Sequence, residues 1–148
     1  MQIEFAASRP TGDFALVIPS AGDSRPGVDS LGEKDKVEAA LVRQRFEGDG
    51  GSAAELFVDD GGTSRRLLVV GVGSDAAPAE AAEKLGGTAV ARLLKSGETH
   101  AVIDLTGLEY DADAAARVAL AAALRSWRYD RYRTKLKDKQ KPTLKTVT

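Results

Sequence analysis

"RRLLVVGVGSDAAPAEAAEKLGGTAVARLLK", residues 65–95, decides the fold class. The apolar run that follows Arg65 and Arg66 reads as a buried strand, and Gly71 and Gly73 break it. Pro78 stands where the first turn of a helix tolerates proline, and Gly97 stands where a helix running to about Lys95 would stop. A strand that turns at glycine into a helix is a building unit of layered α/β proteins.

Reading outward gives the remaining elements. "AELFVDD" precedes this strand across "GGTS", which predicts an antiparallel hairpin. "FEGDGG" ends a helix predicted over Glu33–Phe46, whose inward face carries Val37, Ala40, Leu41 and Gln44. "FALVIPS", Phe14 to Ser20, reads as a buried strand. "QIEFAA" alternates, placing Ile3 and Phe5 on one face of a half-buried strand. After residue 95, "HAVIDLTG" predicts another strand. A last helix follows from about Asp113 to Tyr129, with Ala116, Leu120, Leu124 and Trp127 spaced to face the core. "TLKTVT", residues 143–148, has the composition of a further strand. The order ββαββαβα plus this final segment predicts one domain over 1–148, with a mixed, mostly parallel sheet between helical layers, α/β/α.

The 148 residues suffice for one substantial core. No apolar run reaches the roughly 20 residues of a membrane helix. The N-terminus lacks the pattern of a secretory signal, and the absence of Cys removes disulfides and thiolate sites, so a cytoplasmic location is expected. Charge is uneven. From Arg125 to Thr148 nine Arg and Lys oppose Asp130 and Asp138, a balance of +7, which leaves −8 on the rest of a chain whose net charge is −1. The basic residues Arg128, Arg131, Arg133, Lys135 and Lys137 are therefore candidates for contact with nucleic acid or with another domain. A solvated charged loop over 133–142 is the plainer reading.

"GVGSDA" sits between a strand and a helix, the context of a phosphate-binding loop, and makes Gly71, Gly73 and Ser74 candidates for cofactor contact. Ala76 replaces the third glycine, however, and Asp104 comes too late to serve as the ribose-binding acid. A tight turn is the simpler reading. His100 is the only histidine and has no companions for a metal site. Asp59 and Asp60 beside Gly61 and Gly62 read as a hairpin turn. Tyr110, Asp111 and Asp113 read as the approach to a helix N-cap. Gly86 and Gly87, costly inside a helix, suggest close packing of that helix on the sheet. No residue set assembles a catalytic or metal centre.

Three motifs in order carry a resemblance to the N-terminal domain of the leucyl (cytosol) aminopeptidase family. Phe46, Gly48 and Gly51 resemble its Phe-x-Gly-x-x-Gly. "RRLLVVGVG" is similar to its Arg-then-apolar strand ending Gly-Leu-Gly, with Val72 in place of Leu. Trp127, Arg128, Tyr129, Asp130, Tyr132 and Arg133 resemble its aromatic-Arg-aromatic-Asp-x-Tyr-basic signature. The resemblance spans essentially the whole chain and implies a macro-domain-like fold. It further implies a following catalytic domain that holds two divalent ions, zinc or manganese, removal of N-terminal residues from peptides, and a homo-hexamer. The signature Asn-Thr-Asp-Ala-Glu-Gly-Arg of that second domain does not occur here, so the chain is expected to be the accessory domain alone, without catalytic residues. The alternatives are an ADP-ribose or other phosphate-binding module, and weak nucleic-acid contact through the basic tail.

Overall fold

The computed structural model describes residues 1–106, 110–127 and 135–148. Six strands form one sheet in the order β1-β6-β5-β2-β4-β3. They are β1 (Gln2–Ile3), β2 (Ala15–Ser20), β3 (Ala53–Asp60), β4 (Thr63–Gly71), β5 (His100–Ile103) and β6 (Thr146–Val147). Every neighbouring pair is parallel except β3 with β4. Helix α1 (Lys34–Arg43) packs on one face, and α2 (Pro78–Leu93) and α3 (Ala112–Ser126) pack on the other. The expected three-layer α/β/α fold with a mixed, mostly parallel sheet is the fold observed.

All six residues of β2 are buried, because parallel neighbours flank it and helices cover both its faces. In β4, Leu67 and Val69 point into the α1 core while Leu68 and Val70 point into the α2/α3 core, so the strand reads as a continuous apolar run. The β3–β4 hairpin closes through Gly61 and Gly62, both at positive φ (63° and 89°), the conformation a two-residue hairpin turn requires. Arg65 anchors the start of the hairpin. Its guanidinium lies 3.7 Å from the centre of the Phe14 ring, donates to the Phe14 carbonyl at 2.8 Å and pairs with Asp60 at 2.8 Å.

Several expectations need correction. The first strand covers Gln2–Ile3 instead of running to Ala7, and Phe5 is exposed. In α1, Val37 and Leu41 are buried but Gln44 is exposed; its side chain donates to the Glu55 carbonyl at 3.2 Å. The largest change concerns α3. Its buried face is Ala114, Val118 and Ala122, while Leu120 and Leu124 point outward; the helix ends at Ser126, and Trp127 follows as an exposed, extended C-cap instead of facing the core. The cause lies in α2. Gly86 packs against the α3 backbone, not the sheet, and a Cβ built there would overlap the Val118 carbonyl oxygen. Helices this close admit only small side chains between them. Gly87 faces open space and has no such reason to be glycine.

The two glycines should therefore respond oppositely to substitution. Gly86→Ala is expected to destabilise the domain by about 1–3 kcal/mol through overpacking. Gly87→Ala is expected to stabilise it by up to about 1 kcal/mol through helix propensity. Urea denaturation of both variants is the check, and equal effects would contradict the packing described.

Candidate functional site

The carboxyl ends of the parallel strands are where open α/β sheets usually bind ligands. In this domain the "GVGSDA" turn meets a second glycine loop there. Gly73 N–H donates to the Gly48 carbonyl at 3.0 Å, and Gly71 N–H donates to the Ser52 carbonyl at 2.8 Å. Gly51 N–H in turn donates to the Gly71 carbonyl at 3.0 Å. A Cβ at Gly71 would overlap the Asp49 carbonyl oxygen, and one at Gly48 would overlap that of Gly22. The space beside these glycines is filled by protein backbone, and the amides of Gly71 and Gly73 are engaged within the chain. Ser74 is exposed at the rim.

Side chains tighten the same end. Ser20 Oγ donates to the Gly22 carbonyl at 2.7 Å, and Arg25 holds Glu38 through two bonds of 2.9 and 2.6 Å. At the end of β5, Asp104 pairs with Arg9 Nε at 2.5 Å and accepts the Thr106 N–H at 2.8 Å. The Arg9 Nη2 continues to Ser30 Oγ at 2.6 Å. Burial pushes the Asp104 carboxyl upward. The bonds from Thr106 and the charge of Arg9 outweigh it, so the net displacement is downward. Nothing in the sequence marked Arg9 as the partner of Asp104, 95 positions away. Beside this pair lies a mostly apolar cavity of about 220 Å³ between residues 3–9, the end of β5 and α3.

The other sequence candidates are structural or lie elsewhere. His100 packs edge-on to Phe14, with ring centres 5.9 Å apart, and its Nε2 is 2.8 Å from Thr148 Oγ1. Asp111 caps α3 by accepting the Ala114 N–H at 2.9 Å. Among the described residues no group of three or more His, Cys, Asp or Glu could hold a metal ion, so the ions implied by the resemblance find no ligand set on them. Nor is any helix of the described residues long and apolar enough to cross a membrane. Arg128, Arg131 and Arg133 lie outside the described residues. Lys135 and Lys137 are exposed, and a short 3-10 turn follows at Asp138–Gln140.

The remaining feature is a surface. Leu120 and Leu124 are 60% and 68% exposed and lie one turn apart on one side of α3, and Trp127, the extended residue that caps the helix end, is 71% exposed. Isolated apolar residues on a surface are ordinary, but a row of large ones marks a contact site. The sequence periodicity found this row and assigned it to the wrong side of the helix.

Fold and site thus define an α/β domain whose strand ends are closed by its own loops and whose most distinctive surface is an apolar helix face. Comparison with known proteins narrows this class. The N-terminal domain of the cytosol aminopeptidase family matches residues 21–136. A probable cytosol aminopeptidase of Rhizobium leguminosarum bv. trifolii is 33% identical over 150 residues, covering 99% of this chain and 30% of its own length. Another, from Afipia carboxidovorans, is 36% identical over 109 residues, covering 72% of this chain and 22% of its own. Among solved structures, a tomato leucine aminopeptidase mutant superposes with a TM-score of 0.67 at 21% identity, over 99% of this chain and 32% of that one. The bottromycin maturation enzyme BotP in complex with Mn gives 0.64 at 18% identity, over 92% of this chain and 26% of its own. The chain belongs to the cytosol aminopeptidase family and corresponds to its N-terminal domain. It spans about 30% of the length of the first of these curated relatives.

The Asp104 pair gives a pH-dependent expectation. Its folded pKa is depressed, so its contribution is present above the unfolded value near ~3.9 and is lost as pH falls through the folded value. Asp104→Asn should cost about 1–2 kcal/mol at pH 7, and the gap from the parent should narrow toward pH 3. Urea melts at the two pH values measure it; a gap that is constant or widens in acid contradicts the assignment.

Proposed function

We propose that this domain is the non-catalytic accessory part of a metal-dependent aminopeptidase, a cytoplasmic enzyme that removes N-terminal amino acids from peptides. In this reading two divalent ions, zinc or manganese, are held by the catalytic domain of the same polypeptide, and the full-length protein forms a homo-hexamer. The accessory domain contributes to assembly and to access to the catalytic centre by docking on that catalytic domain. The observation that carries the reading is the exposed apolar face of α3. Leu120 and Leu124 exposed side by side on a well-packed helix suit a permanent interface, whose core is typically richer in apolar side chains than the rest of a surface. The length of the relatives supplies the occupant, since most of their chain lies outside the part matched here.

The rival readings draw less support. A phosphate ligand at Gly71, Gly73 and Ser74 would compete with the Gly48–Ser52 backbone for the amides of Gly71 and Gly73. Contact of Lys135 and Lys137 with nucleic acid would be of the non-specific kind that salt weakens steeply.

The test uses the full-length polypeptide and a Leu120→Glu, Leu124→Glu double variant. The variant should keep the helical content of the parent but lose its assembled state, and lose leucine-anilide turnover by tenfold or more. The 148-residue chain alone should show no turnover with added manganese or zinc. Light scattering and the anilide assay read both, and an assembled, fully active double variant refutes the docking role.

A further inference from the structure

Strand β3 is the outer edge of the sheet, and its eight residues carry Leu56, Phe57 and Val58 at their centre. Its hairpin with β4 closes at the pair Asp60–Thr63, and the residues bonded to β4 alternate from there through Val58, Leu56 and Ala54. Glu55, Phe57 and Asp59 therefore turn their N–H and C=O groups away from β4, toward the open side. A row of such groups on a long edge is a template on which another strand can pair. Phe57 is also exposed, with the Arg66 guanidinium 5.0 Å from the centre of its ring.

Helix α1 reaches that side with one side chain from each of its ends. Gln44, its C-cap, donates from Nε2 to the Glu55 carbonyl at 3.2 Å and accepts the Glu55 N–H on Oε1 at 3.4 Å. The carboxamide thus exchanges with Glu55 the two bonds that a facing residue of an antiparallel strand would make. Glu33, its N-cap, accepts the Asp59 N–H on Oε2 at 2.9 Å. The helix is held in place by Val37 and Leu41, both buried in the core under β3. The chain turns off directly after Gln44, where Arg45 takes a φ of 55° and the N–H groups of Arg45 and Phe46 return to the Val42 and Leu41 carbonyls at 3.0 Å each. Phe57, between the two guarded positions, is left with an N–H and C=O that have no partner among the described residues.

We infer that Gln44 and Glu33 form an edge guard, two side chains that occupy the outward bonding positions of β3 and keep a second copy of this chain from adding its own β3 to the sheet. A strand pairing there needs bonds at every second residue, at Glu55, Phe57 and Asp59 in turn. With the first and last already taken, one residue remains, and its two bonds do not outweigh the entropy lost when two domains associate. Two copies pairing antiparallel about Phe57 would also set Glu55 of each beside Asp59 of the other, and like charges directly opposite disfavour such a pair. This inference is independent of the docking face on the outer side of α3.

Sedimentation velocity of the 148-residue chain and of a Glu33→Ala, Gln44→Ala double variant tests the guard. The variant should keep the circular dichroism of the parent and self-associate at least about tenfold more tightly. Adding Phe57→Lys to it should return association to the level of the parent, since lysine on an edge strand opposes pairing. A folded double variant that associates no more than the parent overturns the guard, and so does association that survives Phe57→Lys. Hydrogen exchange of the parent gives a second reading that does not depend on how any variant folds. Its Glu55 and Asp59 amides should exchange at least about tenfold more slowly than its Phe57 amide, and equal rates at the three positions overturn the guard.

Discussion

Gly86 sets how closely α2 and α3 approach, and that closeness decides which side of α3 the domain uses internally. With no Cβ at that position, α2 lies against the backbone at Val118, and only Ala114, Val118 and Ala122 fit the seam. Leu120 and Leu124, on the opposite face of the same helix, then point outward. The domain thus obtains an apolar outer face as a direct consequence of its tightest internal contact.

Glycine plays a comparable part at the carboxyl end of the sheet. The loops containing Gly22, Gly48 and Gly71 pass so near one another that side chains are excluded, and their amides and carbonyls satisfy each other. A motif that elsewhere brings backbone to a phosphate here brings backbone to backbone. The charged pairs around it, Arg25 with Glu38 and Arg9 with Asp104, fix the surrounding loops to α1 and β5. The result is a strand end closed by the domain's own loops beside β2.

Much of this was legible in the sequence, for identifiable reasons. The strand at Leu67–Val70, the hairpin at Gly61–Gly62 and the α2 helix after Pro78 each have a local signal that the tertiary structure does not override. The Asp111 cap is equally local. What could not be read depends on neighbours distant in sequence. Periodicity shows that α3 has a stripe of large apolar residues, but only Gly86 on another helix shows that the stripe faces out. The Arg9–Asp104 pair joins residues 95 positions apart.

Accessibility of α3 is the most direct measure of its docking role, and the absence of cysteine from this chain makes it easy to obtain. Leu124→Cys can be labelled with a maleimide in the 148-residue chain and in the full-length polypeptide, with Val42→Cys on α1 as the exposed control. The expected result is fast labelling of both positions in the 148-residue chain, and at least tenfold slower labelling of position 124 alone in the full-length protein. Equal rates at position 124 in the two proteins would contradict the claim that the outer face of α3 is an interface.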